Sequence, residues 1–303
     1  MKRLIITLCL ALGSFVVGCS DDFQRGVEAY NKGDYATALK EWTPLADQGH
    51  AKAQYNLGVA YANGEGVIQD YKTAVKWYIL SAEQGNAKAQ YNLGIMYDNG
   101  KGVPQDYQEA VKWYRLAAEQ GYSSAQHNIA YMYYNGQGVP QNYQEAVKWM
   151  TLSADQGNVS AQKNLGIFYR DGEVVPQDYQ TAAKWFELAA TQGNITSQVN
   201  IGFFYYNGLG VPQDYQEAVK WMTLASEQGS PQAQHNMAYL YYNGQGVKID
   251  KVYAHMWASI ASSQGFENSK GLLEALNKEM IPSQIEKAQD LARECLKKNY
   301  KGC

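Results

Sequence analysis

Apolar positions along this chain fall into two alternating helical patterns. In the first, Ala53, Leu57 and Tyr61 recur every four residues, which at 100° per residue places them on one face of a helix. That pattern ends at Asn63-Gly64, and a glycine suits the left-handed cap that closes a helix. A polar loop follows, of the form Gly-x-Gly-Val-Pro-Gln-Asp at Gly100 to Asp106, whose aspartate is placed to cap the next helix. The second pattern carries Tyr107, Ala110, Val111, Trp113 and Ala117 at helical spacing until Gly121 stops it. Asn86, Asn158, Asn194 and Ser230 then stand where the following helix needs an N-cap, and Pro231 takes the favoured first-turn position. The pattern predicts an all-α chain of helical hairpins.

The hairpins repeat at a fixed step. Gly49, Gly85, Gly121, Gly157, Gly193, Gly229 and Gly265 are each 36 residues apart, as are Trp77, Trp113, Trp149, Trp185, Trp221 and Trp257. Residues 50–85 and 86–121 match at 26 of 36 positions without a gap. The pattern Ala-x-x-x-Leu-Gly-x-x-Tyr, Gly-x-Gly-Val-x-x-Asp-Tyr-x-x-Ala-x-x-Trp and Ala-x-x-Gly at this period resembles the Sel1-like repeats, relatives of the tetratricopeptide repeats. The resemblance implies a right-handed superhelical solenoid of helix-turn-helix units with an extended concave face, used as an adaptor or receptor for proteins. Six full repeats span 50–265, and residues 23–49 read as a degenerate first repeat with a tighter turn at Lys32-Gly33-Asp34. Residues 266–303 leave the period. Ser283 and Glu286 have capping-box spacing after Pro282, so a helix over about 283–298 is expected to close the exposed end. Val174 stands where the other loops have their second glycine, so that turn is expected to differ or be strained.

Residues fixed between repeats read as packing, and varied ones as surface. The positions equivalent to 55, 59 and 62 point away from the Ala53 stripe and vary freely. In the third, fifth and sixth repeats they are aromatic: His127, Tyr131, Tyr134, Phe203, Tyr206, His235, Tyr239 and Tyr242, with Lys163 and Arg170 between them. Aromatics with a polar tip dominate binding hot spots, so this strip is the expected site for a protein, peptide or glycan carrying apolar and acidic groups. The competing reading is that the 59-type residues merely fill space between repeats. The recurrent Asn56-type residue lies between the two faces, as a hydrogen bond to a neighbouring repeat or as a ligand contact.

The N-terminus has a different character. Lys2 and Arg3 precede an apolar run from Leu4 to Val17, shorter than the roughly 20 residues that span a bilayer, and Ser20-Asp21-Asp22 are abruptly polar. Residues 1–18 therefore read as a signal peptide. Val16-Val17-Gly18-Cys19 resembles the lipobox of bacterial lipoproteins, which implies cleavage before Cys19, acylation there and a membrane anchor. Ser20 resembles the outer-membrane sorting pattern, so the expected location is the cell envelope, on the outer membrane facing the periplasm or cell surface. Removing Lys2 and Arg3 takes the formal charge from −3 to −3 − 2 = −5, which leaves no basic footprint for nucleic acid. Of four cysteines, Cys9 leaves with the leader and Cys19 carries lipid. Cys295 and Cys303 are then expected to pair in an oxidising compartment, the alternative being two free thiols.

Catalytic motifs are sparse. Ser160-Ala161-Gln162-Lys163 has the S-x-x-K spacing of penicillin-recognising enzymes, and cysteine-rich relatives of the repeat family bind penicillin, which keeps a penicillin-binding or β-lactamase-like envelope enzyme as the alternative class. The companion S-D-N and K-T-G patterns are missing from workable positions, and no cysteine lies between Cys19 and Cys295. The Gly-x-Gly loops follow helices rather than strands, unlike phosphate cradles. His50, His127, His235 and His255 form no metal-binding spacing. A non-catalytic binding scaffold without a cofactor or metal is the expected function.

Overall fold

A computed structural model describes residues 21–303; the expected signal peptide and Cys19 lie outside the described residues. Helices account for all regular structure among these residues, with no strand. The described residues divide into two units, one ending at Ser153 and the other running from Ala154 to Cys303. In the first unit α1 (residues 21–31) is followed by α2 (Tyr35–Asp47), α3 (Ala51–Asn63), α4 (Tyr71–Glu83), α5 (Ala87–Asn99), α6 (Tyr107–Glu119) and α7 (Ser123–Asn135). Helix α8 (Tyr143–Asp155) ends at the boundary. The second unit holds α9 (Val159–Asp171), α10 (Tyr179–Thr191), α11 (Ile195–Asn207), α12 (Tyr215–Glu227), α13 (Pro231–Asn243), α14 (Lys251–Ser263), α15 (Asn268–Glu279) and α16 (Pro282–Lys297). Through the hairpins of each unit successive helices pack against their chain neighbours, as short loops dictate, and at the C-terminal end α15 and α16 both pack on α14.

Local chemistry sets the boundaries. Asp70, Asp106, Asp178, Asp214 and Asp250 cap the second helix of each hairpin by accepting backbone N–H bonds from its first turn. Asn86, Asn158, Asn194 and Ser230 do the same for the first helices, and His50 does so with Nδ1, 3.2 Å from Ala53 N. Val174 is not among the residues with left-handed backbone, so the fourth loop takes a different path from its counterparts.

Packing explains the fixed residues. Ala53, Leu57, Ala89 and Leu93 are buried in the first unit, and Ala161, Leu165, Ile201 and Phe204 in the second. In the Leu-Gly pairs the glycine lets an aromatic ring lie flat on the first helix: a Cβ on Gly94 would sit 2.5 Å from the Tyr114 ring, and one on Gly166 2.5 Å from Phe186. A polar ladder threads this core. The buried amides of Gln54, Gln90, Gln162, Gln198 and Gln234 donate to carbonyls eight residues back and accept from Gln84, Gln120, Gln192, Gln228 and Gln264 at 2.6–2.8 Å. Each amide thus spends both its ends, which removes the cost of burying it.

The C-terminal end differs in detail from the sequence reading. Two helices close it, α15 and α16, and Leu272, Leu276, Ala288 and Cys295 pack with Met237, Met256 and Trp257. Ser283 and Glu286 do not form the capping box. Pro282 takes the first helical position, Ile281 is the N-cap, and Gln284 Oε1 accepts from Ile281 N–H at 3.2 Å. Beyond α16, Cys295 and Cys303 are joined, with Cα atoms 5.5 Å apart. The short tail they close turns through Asn299 and Tyr300 at φ 48 and 67, and folds back on the second unit. Gly302 N–H donates to Glu227 Oε1 at 3.0 Å, and the Tyr300 ring rests over Gly229.

Candidate partner-binding face

The residues expected to form the face divide sharply by exposure. Tyr131 in the first unit, and Phe203 and Tyr239 in the second, are open to solvent at 51%, 47% and 42%. All three occupy the 59-type position, whose equivalents Val59, Ile95 and Ile167 are half-buried. The space-filling reading therefore holds for the aliphatic members and not for the aromatic ones.

The 62-type residues are half-buried and committed to neighbours. Tyr134 packs on Tyr143 with ring centroids 5.6 Å apart, and Tyr206 on Tyr215 at 5.4 Å. Tyr206 O–H donates to Gln245 Oε1 at 2.9 Å, and Tyr242 O–H to Glu279 Oε1 at 2.8 Å, where Glu279 also pairs with Lys251 at 3.0 Å. That bond to a carboxylate raises the Tyr242 pKa.

The positive charge expected between the aromatic groups is compensated. Arg170 Nε and Nη2 both reach the Asp171 carboxylate, at 2.6 and 3.0 Å, and Nη1 donates to Asn200 Oδ1 at 2.6 Å. Lys163 is half-buried.

The 55-type residues turn inward. His127 is half-buried with Nδ1 3.3 Å from Asn128 Oδ1. His235, assigned from sequence to the surface strip, is buried. Its ring lies between Tyr239 at 4.9 Å and Phe266 at 5.0 Å, with Nδ1 2.9 Å from Ser269 Oγ on α15. Burial lowers its pKa and keeps it neutral at physiological pH. Sequence reasoning missed α15, which stands one 36-residue step after α13 in the register of the first helices and supplies that cover.

The recurrent asparagines lie at contacts between repeats, and what they face changes along the chain. Asn92 stands beside the hydroxyls of Tyr55 and Tyr78, and Asn128 beside those of Tyr91 and Tyr114, each opposing the rise that burial gives the tyrosine pKa. Tyr114 O–H also donates to Asp98 Oδ2 at 3.1 Å; burial and that carboxylate push its pKa far up. In the second unit Asn200 takes Arg170 instead, while Asn236 Nδ2 points at Met222 Sδ, 3.6 Å away. Beside that amide is a cavity of about 200 Å³ bounded by Phe203, Tyr206, Met222, His235, Asn236 and Tyr239, with aliphatic Ala218 and Leu240 behind. The two exposed aromatics of the second unit form its mouth.

Ser160 of the S-x-x-K spacing is solvent-exposed on α9, and Lys163 lies one turn on, half-buried. No helix of the described residues is long and apolar enough to cross a membrane.

The model of the Sel1 repeat matches six consecutive segments, residues 51–86, 87–122, 123–158, 159–194, 195–230 and 231–266, together well over half the chain. The chain belongs to the Sel1 repeat family. Two solved structures extend the likeness. One is a protective antigen present in uropathogenic Escherichia coli strains that displays an SLR fold: it is 33% identical, with a TM-score of 0.84 over 90% of this chain and 62% of that one. This chain thus spans less than two thirds of that antigen. The other is a Sel1 repeat protein from Oxalobacter formigenes, 32% identical, with a TM-score of 0.68 over 80% of this chain and 96% of that one. A comparison with curated proteins gave no match. Sel1 repeat proteins generally serve as protein-interaction scaffolds, and the helix-turn-helix stacking seen here is that scaffold.

Proposed function

We propose that this Sel1 repeat protein is a non-catalytic scaffold of the bacterial cell envelope, anchored by lipid at Cys19, that binds a protein segment on the face around Phe203 and Tyr239. One observation carries the reading: two large aromatics, Phe203 and Tyr239, stand 47% and 42% exposed and together border one apolar cavity. Folded chains rarely leave such residues grouped in the open without a use for them, and aromatic anchors beside a pocket are the usual centre of a binding hot spot.

The experiment is capture by cross-linking on intact cell envelopes, with the protein and with a Phe203→Ala, Tyr239→Ala double variant. Truncating a hot-spot residue costs at least about 2 kcal/mol, or roughly thirtyfold in affinity, whereas exposed substitutions shift stability by only about 0.5 kcal/mol. The double variant is expected to lose the partner with its thermal midpoint nearly unmoved. Capture at the wild-type yield would place binding elsewhere, and unfolding of the variant would make both residues packing. Anchoring is tested separately by metabolic labelling with a fatty acid, which is expected to mark the protein and not Cys19→Ser.

A further inference from the structure

Comparison of the repeats with one another explains why the cavity exists. Residues 108 apart occupy the same place three repeats on, so Met222 stands in the register of Tyr114, Asn236 in that of Asn128 and Tyr206 in that of Asp98. In the first unit the Tyr114 ring fills this place. Its face lies on Gly94, its hydroxyl donates to Asp98 Oδ2 at 3.1 Å, and Asn128 stands beside that hydroxyl. The second hydroxyl beside Asn128, that of Tyr91, has Val199 in its register. At Asn236 neither register position carries a hydroxyl. The thinner Met222 lies along Gly202 where the ring would be, and the space released is bounded by the same two register positions that hold the Tyr114 hydroxyl.

Size and chemistry agree on what would refill it. The volume is about 200 Å³, whereas an apolar cavity of about 150 Å³ accommodates benzene. The walls are apolar or aromatic, no carboxylate or cation lines them, and one amide offers a donor and an acceptor. An aliphatic side chain would leave that amide facing hydrocarbon, and an anionic ring would find no counter-charge.

We propose that this cavity is a subsite for a tyrosine side chain supplied by the protein partner, with Asn236 bonding its hydroxyl from the register position at which Asn128 faces that of Tyr114. The proposal rests on the reading that the face around Phe203 and Tyr239 binds a protein segment. The partner completes from outside a contact that the first unit makes from within.

The test uses the purified protein and three probes: N-acetyl-tyrosinamide, N-acetyl-phenylalaninamide and N-acetyl-phosphotyrosinamide. Binding is followed by saturation-transfer NMR on the probe and by the methyl resonance of Met222. Tyrosinamide is expected to bind saturably, to shift that methyl and to exceed phenylalaninamide by roughly three- to tenfold, the value of one neutral hydrogen bond. Phosphotyrosinamide is expected not to bind. Met222→Tyr restores a residue that the fold already accommodates at Tyr78 and Tyr114, and it should abolish binding by filling the site. Asn236→Leu should level the two uncharged probes. Equal or tighter binding of phenylalaninamide, binding of the phosphorylated probe, absence of saturable binding, or binding retained in Met222→Tyr would each overturn the proposal. Envelope capture separates it from the wider reading. A partner lost on Phe203→Ala, Tyr239→Ala but held at full yield by Met222→Tyr would overturn the subsite and leave the face intact. Selective tyrosinamide binding alongside unimpaired capture by the double variant would uphold the cavity chemistry and overturn the face.

Discussion

Gly102 and Gly85 have nearly the same backbone conformation, at φ +74 and +86, but opposite surroundings, which makes them a clean test of what holds successive repeats together. A Cβ on Gly102 would lie 2.3 Å from Tyr71 O and 2.5 Å from its carbonyl carbon, at the start of α4, whereas one on Gly85 would meet nothing within 4 Å. Alanine at either site carries the left-handed penalty of about 1–2 kcal/mol. At Gly102 the obstacle is backbone rather than a side chain that can swing aside, so overpacking adds about 1–3 kcal/mol more. Gly102→Ala is therefore expected to cost roughly 2–5 kcal/mol against roughly 1–2 kcal/mol for Gly85→Ala. Repeat arrays can lose stability locally, so the assay is amide hydrogen exchange read by mass spectrometry, with urea unfolding as the global measure. Loss of protection should centre on α4 and α5 in Gly102→Ala and be slight in Gly85→Ala. Equal losses in the two variants would mean that the close approach at Gly102 contributes nothing, and that these glycines serve only backbone conformation.

Three further outcomes follow from groups inside the fold. Tyr114→Phe removes the hydroxyl that donates to Asp98 and should cost about 1–3 kcal/mol in urea unfolding, the penalty for stranding a part-buried polar partner; a change below about 0.5 kcal/mol would refute that pairing. Burial lowers the pKa of both His235 and His255, so below the unfolded value of about 6.5 the unfolded chain takes up protons first, and stability should fall as pH drops from 7.5 to 5.5. A His235→Gln, His255→Gln double variant should flatten that slope, and an unchanged slope would assign it to other groups. Mass spectrometry of unreduced protein should find the peptides of Cys295 and Cys303 linked, and cutting the link should cost roughly 2.5 kcal/mol; two alkylatable thiols would refute it.

What could be read from the residues alone was what depends on neighbours in sequence. Asp106 caps α6 and Gly100 ends α5 because an N-cap oxygen and a left-handed glycine act within one turn. The buried glutamine ladder was missed since an amide within a helix reads as surface by type. Its signal was available in the recurrence of Gln54, Gln90, Gln126, Gln162, Gln198 and Gln234 at the fixed step. Ser283 and Glu286 satisfied a spacing rule, but Pro282 moved the helix start by fixing the first helical residue. The face was partly legible. Positions 55, 59 and 62 share a helix side, yet α15 covers His235, and Gln245 and Glu279 tie down Tyr206 and Tyr242, contacts that only the tertiary arrangement creates.

Within such a repeat, specificity can arise inside the interface as well as on its surface. The asparagine row shows how. Where Phe186 replaces the tyrosine at the 78-type position, Arg170 steps in and bonds Asn200 at 2.6 Å, so the amide stays paired and the guanidinium is held by Asp171. Where Met222 replaces it, the amide of Asn236 meets only a thioether at 3.6 Å, a weak acceptor at a long distance. One substitution is compensated and the other is not, though the two repeats share the same scaffold. The uncompensated amide is the one that faces a cavity, and Phe203 and Tyr239 stand exposed at the mouth of that cavity. A polar group left underpaired next to open apolar volume gives a ligand both contact area and a hydrogen bond that no internal group competes for, which is the arrangement by which small pockets select among side chains of similar size.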